Sequence, residues 1–137
     1  MKVAIITAIF DDYDELREIV PQDGVEVDWV YVTDNECALY DNFDSRGWRT
    51  KYRARKQGEH PCRGAKHPKM VPWLYTKAEH SIWIDGSFRI TSPRFAVEAL
   101  AHAEMSSDGF AQFKHPWRDC LFDEADATLN LKRYEGE

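Results

Sequence analysis

Residues Val3 to Phe10 read Val-Ala-Ile-Ile-Thr-Ala-Ile-Phe, an uncharged run rich in β-branched side chains. A strand with one wet face alternates apolar and polar positions, and an amphipathic helix repeats them every three or four residues. This run does neither. It has the pattern of a strand buried on both faces, which is the habit of a parallel sheet covered on each side. Parallel neighbours need crossover connections rather than hairpins, so the chain is restricted to α/β architectures.

The rest of the sequence is read against that strand. The acidic cluster Asp11-Asp12-Tyr13-Asp14-Glu15 predicts a helix start, with Leu16, Ile19 and Val20 as its apolar face and Pro21 as its stop. Val25 to Thr33 predicts a second strand ending at Asp34-Asn35, which completes a βαβ unit with a right-handed crossover. Periodicity then disappears across a long basic loop at about 36–69, which holds Trp48, Arg49, Lys51, Tyr52, Arg53, Arg55, Lys56, Arg63, Lys66 and Lys69. Irregular stretches of that length in a small domain are commonly functional. Met70 to Lys77 predicts a short helix opening near Pro72.

His80 to Ile84 predicts a third strand that runs into Asp85-Gly86-Ser87. Ser92-Pro93 predicts an N-cap and first-turn proline for a helix carrying Phe95, Ala96, Ala99, Leu100 and Ala103. Phe110 to Lys114 predicts a fourth strand, and a last helix is expected at roughly 121–132. The expected fold is therefore one α/β domain over 1–137, with a mostly parallel, Rossmann-like sheet and flanking helices.

Charge and cysteine content narrow the partners. Among 137 residues there are 18 basic and 24 acidic side chains, a formal charge of −6. Coats for duplex DNA and membrane-surface proteins need the opposite balance. Cys37, Cys62 and Cys120 form no Cys-x-x-Cys pair, and an odd count fits a reducing, cytoplasmic location better than a disulfide framework. The apolar run near the N-terminus is too short for a membrane span and ends in acidic residues without a small-residue cleavage site.

In open α/β sheets, ligands bind beyond the carboxyl ends of the strands. Here those ends carry Asp11-Asp12, Asp34-Asn35, Asp85-Gly86-Ser87 and His115. Carboxylates with an imidazole are a donor set for Mg²⁺ or Mn²⁺. The basic stretch from Arg53 to Lys69 is then placed to cover a phosphate-bearing ligand, and cation plus Lys/Arg is the arrangement that stabilises a departing diphosphate. Acidic residues also follow strands simply as caps and turn formers, so the set carries more weight than any member. Asp85 is the strongest single position, because a rigid strand presents it and Gly86 admits close approach to the backbone.

Other constellations carry less. His60, Cys62 and His67 have a spacing that matches none of the common structural zinc pairs. Trp48 and Tyr52 among lysines and arginines have the composition of a single-stranded nucleic-acid grip, though the overall charge opposes it. Cys120 has no adjacent base and reads as a structural thiol.

The stretch Ser81-Ile-Trp-Ile-Asp-Gly-Ser-Phe-Arg-Ile90 resembles the signature of a glycosyltransferase-like family of the TOD/MUCI type, formerly a domain of unknown function. Its plant members are Golgi proteins linked to mucilage and pollen turgor, and it has bacterial and phage relatives. The opening from Val3 to Asp14, the Val32-Thr-Asp34 strand end, Ala65-Lys66-His-Pro68-Lys69 and His115-Pro116-Trp-Arg118-Asp-Cys120 with Asp123-Glu124 match in order and spacing. The resemblance implies a GT-A-type transferase that uses a nucleotide-diphosphosugar donor and Mn²⁺ or Mg²⁺.

Carried onto this chain, the resemblance implies donor contacts from Thr7, Asp11, Asp34, Lys66, Lys69, Asp85, Gly86 and Ser87. Asp34 is expected to face the nucleoside, and Lys66 and Lys69 the phosphates. A metal held by Asp85 and His115 is implied, as are catalytic roles for Asp85, His115 and Arg118. The acceptor is left open by the sequence, with a glycan, a protein or a modified nucleobase as the expected classes; no membrane partner is expected, and homo-oligomerisation is one way to complete the site. The usual Asp-x-Asp of GT-A enzymes is Asp85-Gly86-Ser87 here. GT-A domains are also generally longer, so a short or truncated donor-binding domain is expected. The alternative functions are a non-catalytic or minimal nucleotide-binding module and a single-stranded nucleic-acid binder.

Overall fold

A computed structural model describes residues 1–113. Strands β1 (Lys2–Ile9), β2 (Glu26–Thr33), β3 (Arg49–Tyr52) and β4 (His80–Trp83) form one sheet in the order β3-β2-β1-β4. All three pairings are parallel, with Ile5 opposite Trp29 on one side and Ile82 on the other. Helices α1 (Pro61–Met70) and α2 (Phe95–Glu104) complete the regular structure, with 3₁₀ turns at Glu36–Leu39 and Pro72–Leu74. The result is a Rossmann-like α/β arrangement.

Strand β1 is central and buried on both faces, as its composition requires. Val3, Ile5 and Ile9 pack with Leu16, Tyr31, Trp48, Ile84, Ala96 and Leu100, so α2 and irregular chain cover that face. Ala4, Ile6, Ala8 and Phe10 pack with Val30 and Val32 beneath α1 and the 75–78 segment. Each buried aliphatic side chain of this size contributes about 1.5–3 kcal/mol.

The helix expected after β1 does not form. Phe10–Tyr13 is instead a tight turn in which Asp11 (φ 58°) and Asp12 (φ 48°) both adopt left-handed backbone and Tyr13 N–H donates to Phe10 C=O at 3.3 Å. Aspartate is among the few residues that tolerate this conformation. The remaining stretch before Pro21 is short for a stable helix, and the residue preceding proline disfavours helical backbone. Leu16, Ile19 and Val20 still reach the core, but from an irregular strap. The indole of buried Trp48 donates to Arg17 C=O at 2.7 Å and pins that strap.

The strap has a second task at α2. Helix α2 begins at Phe95 with Arg94 at its N-cap, and Arg94 supplies no side-chain cap. Ser92, expected as the cap, accepts the Arg94 N–H through its Oγ instead. Gln22 Oε1 accepts from Ala96 N–H at 2.8 Å, while its Nε2 donates to Val20 C=O and Ser92 C=O. A side chain distant in sequence therefore caps the helix.

The 36–69 region, expected as one loop, contains β3 and α1. Strand β3 is the sheet edge, where charged Arg49 and Lys51 are tolerated on exposed positions. Arg49 makes a paired contact with Asp28, through Nε at 2.9 Å and Nη2 at 2.6 Å. Helix α1 forms despite Gly64 and an internal Pro68, because packing against β1 overrides local propensity. The expected helix over 70–77 is reduced to the Pro72–Leu74 turn. The strand expected from Phe110 is not formed over 110–113. Lys114, the final helix, His115, Arg118 and Cys120 lie outside the described residues.

Among the described residues, no helix is long and apolar enough to cross a membrane.

Candidate active site

Parallel pairing of β2, β1 and β4 brings Asp34, Asp11 and Asp85 to one rim, since each follows its strand's carboxyl end. A cleft of about 730 Å³ opens there. Phe10, Asp11, Tyr13 and Asp14 line it from the β1 turn, and Trp83, Asp85, Gly86 and Ser87 from the end of β4. His60, Pro61, Cys62, Ala65 and Lys66 line it from the start of α1. Acidic groups thus meet a helix N-terminus across one cavity.

Each wall has a local cause. Asp85 Oδ2 accepts from Ser87 Oγ at 2.7 Å and Ser87 N–H at 3.2 Å, a turn that fixes the carboxylate just beyond β4, which is partly buried at Ile82 and Trp83. At Gly86 a Cβ would be crowded, lying 3.0 Å from Ile9 Cγ1 and 3.1 Å from Asp14 Oδ2. On the opposite wall, His60 caps α1 by accepting Cys62 N–H at its Nδ1 (3.3 Å), and Pro61 occupies the first turn. Helix N-termini carry partial positive charge, which attracts phosphate oxygens. Cys62 N–H is taken by His60 Nδ1, and Arg63 and Gly64 N–H by His60 C=O, so α1 offers its dipole rather than free N–H groups.

The start of α1 is anchored from below. Arg53 meets Glu59 through two contacts, Nη1 to Oε2 at 2.9 Å and Nη2 to Oε1 at 3.0 Å, with side chains only 14% and 12% exposed. The guanidinium also lies 5.9 Å from the centre of the Phe10 ring. Gly64 presses on that ring, leaving no room for a Cβ. The pair with Arg53 holds the Glu59 carboxyl down at about 2, against an ordinary value of 4.5. Its folded-state pKa is depressed, so the stabilisation is complete above the ordinary value and is lost as pH falls from about 4.5 towards 2. Thermal unfolding between pH 6 and 2 is expected to show this loss, and Glu59→Gln is expected to flatten that part of the profile.

The structure brings together Asp11, Lys66, Asp85, Gly86 and Ser87 of the expected donor set. Asp34 stands at the rim without lining the cleft: its carboxylate accepts Asp11 N–H at 2.9 Å and Arg55 Nε at 2.8 Å. Arg55 also approaches Asp11 at 3.6 Å, so it ties the two strand ends together. Lys69 lies further along α1 and outside the cleft lining. Thr7 is buried inside β1, and its hydroxyl has no partner among the described residues. Asp14, Tyr13, His60, Cys62 and Trp83 join the site without having been singled out for it. The signals available were an acidic cluster directly after the central strand and a His-Pro pair that can open a helix.

Two other sequence readings change. Trp48 is 4% exposed and packs edge-on against Trp29 at 5.1 Å, so it offers no stacking surface to a nucleic acid. Tyr52 is engaged with Glu36 at 3.0 Å. His67 does not join His60 and Cys62; its Nδ1 lies 2.7 Å from Tyr75 Oη, and burial pushes its pKa down. Among the described residues, no three His, Cys, Asp or Glu side chains converge as a metal-holding group.

The family model of the TOD1/MUCI70 glycosyltransferase-like domain matches residues 1–137. The chain belongs to this family. No curated protein and no solved structure matches it. As a TOD1/MUCI70-type glycosyltransferase-like domain, the chain places its Asp-Gly-Ser turn on the carboxyl side of a parallel sheet, where α/β folds present ligand sites.

Proposed function

We propose that the chain is a glycosyltransferase that moves a sugar from a nucleotide-diphosphosugar donor, with the diphosphate seated in the cleft between Asp85 and the start of α1. The observation that carries this reading is the pairing, across one cavity, of a strand-end carboxylate with a helix N-terminus and Lys66. A diphosphate leaving group needs positive charge on its oxygens as the sugar bond breaks.

The donor groups facing this cavity fit a hard divalent cation. Carboxylate and hydroxyl oxygens suit Mg²⁺ or Mn²⁺, which characteristically use one or two protein carboxylates and complete their shell with water and substrate phosphates. The lack of a protein-only cage among the described residues is therefore compatible with such an ion. Asp85 and Ser87 would hold it, and His115 remains a further proposed ligand. When bound, the cation would neutralise charge on the diphosphate. The chain's own part is to fix Asp85 through the Ser87 turn and to turn the positive end of the α1 dipole, with Lys66, towards the diphosphate.

Incubating the full chain with a panel of UDP-, GDP- and ADP-sugars and Mn²⁺ tests this reading through release of free nucleoside diphosphate. Release from at least one donor, suppressed by chelation, is the expected outcome. Binding without any release would favour the non-catalytic module. That second reading is motivated by the replacement of the motif's second aspartate with Ser87.

A further inference from the structure

We propose that a groove at the amino end of the sheet docks an acidic protein segment through one large apolar side chain. The groove has a volume of about 530 Å³ and is lined by Lys2, Asp28, Arg49, Lys51 and residues 73–78. Lys2 and Arg49 open strands β1 and β3, whereas the candidate donor cleft follows the carboxyl ends of β1 and β4. A partner seated here leaves that cleft open, and the inference does not depend on the donor-site reading.

The charge of the groove runs against that of the chain. The whole sequence carries −6, yet Lys2, Arg49, Lys51 and Lys77 gather here around a single acid, Asp28. Arg49 and Lys51 stand opposite Val30 and Val32, so both share the sheet face beneath α1. Asp28 is spent on Arg49, at 2.6 and 2.9 Å, and on Thr76 Oγ1 at 2.8 Å. Lys2 meets Glu26 at 3.1 Å. Among the described residues, no acid pairs with Lys51 or Lys77. Complementary charge on a partner is what such a rim selects.

Its apolar centre is just as open. Trp73 and Leu74 line the groove yet are 69% and 64% exposed, and Met70 just before them is 70% exposed. Single exposed apolar side chains are ordinary, whereas a clustered set rimmed by charge marks an interaction surface. The turn that presents them is fixed. Arg49 Nη2 donates to Tyr75 C=O at 3.0 Å, Thr76 is tied to Asp28, and Tyr75 Oη lies 2.7 Å from His67 Nδ1. An anchor held in place before binding loses little freedom on docking. Tryptophan at the centre of a charged rim is the anatomy of a protein interface. A single-stranded nucleic acid needs successive stacking rings, and among the groove residues only Trp73 presents an exposed one.

Fluorescence anisotropy of the full chain tests this with a panel of synthetic peptides, each placing leucine, phenylalanine or tryptophan between glutamates. At least one is expected to bind, more weakly as salt rises. Peptides with lysine for glutamate, or alanine for the apolar residue, are expected not to bind. Trp73→Ser is expected to weaken binding about thirtyfold, the least that a central aromatic anchor costs. Lys51→Glu with Lys77→Glu is expected to slow association and flatten the salt dependence. All three side chains are exposed, so melting temperatures should match the wild type. No binding of any acidic peptide, or binding indifferent to Trp73 and to both lysines, would overturn the proposal. A single-stranded oligonucleotide bound in preference to every peptide, or self-association of the wild type lost in Trp73→Ser, would overturn it by giving the groove another occupant.

Discussion

Asp85→Asn is expected to lower release of nucleoside diphosphate from the preferred donor by about 10²–10³-fold, the usual effect of removing one preorganised electrostatic contact from a reacting centre. The substitution keeps the size of the side chain and an oxygen that can accept the Ser87 N–H, so the turn survives. It removes the negative charge that would hold a cation. Asp85 is solvent-exposed at the end of β4, and exposed substitutions of this kind change stability by only about 0.5 kcal/mol. The effect should therefore appear in turnover and in cation-dependent binding, with the melting temperature unchanged. Equal turnover in wild type and variant would remove Asp85 from the chemistry.

Gly64→Val is expected to produce the largest change in stability. Even a single methyl carbon at this position would lie 2.7 and 2.8 Å from carbons of the Phe10 ring and 3.3 Å from Arg53 Nη1. Phe10 is 2% exposed and fixed between β1 and α1, so the ring has nowhere to move without opening the layer. Overpacking of this severity costs about 3 kcal/mol, which for a chain of this length lowers the melting temperature by roughly 10 °C. Displacing α1 also moves Pro61, Cys62 and Lys66 away from Asp85, so donor binding should weaken in the fraction that remains folded. Thermal unfolding with a parallel binding measurement checks both parts. A variant as stable as wild type would mean that α1 is not packed on Phe10.

The two variants separate what was legible in the sequence from what was not. Strand β1 could be read directly because burial on both faces leaves an apolar signature on consecutive residues, β2 from its buried second half, and β4 from the apolar Ile82-Trp83-Ile84 run at its end. Asp85 could be read because it follows such a strand. Strand β3 was illegible, since an edge strand with exposed Arg49 and Lys51 has the composition of a basic loop. Helix α1 was hidden by Gly64 and Pro68, residues that weaken a helix in isolation; here Gly64 packs closely on Phe10 and Pro68 is buried. The reverse error arose at 11–20, where Leu16, Ile19 and Val20 have helical spacing yet serve a strap pinned by Trp48 and Gln22. Trp48 to Arg17, and Gln22 to Ser92 and Ala96, join residues far apart in sequence, and periodicity carries no information about them. The same limit applies to the site: Asp14 acquires its place only when β1 and β4 are neighbours.

The central claim is that a cation-assisted diphosphate occupies the cleft between Asp85 and α1. Calorimetric titration of UDP, GDP and ADP into the full chain, with Mn²⁺ and with chelator, tests it most directly. Binding of at least one nucleoside diphosphate, strengthened by Mn²⁺ and with that strengthening lost in Asp85→Asn, is the predicted result. No binding of any of the three, or binding that is indifferent to both Mn²⁺ and Asp85, would contradict it.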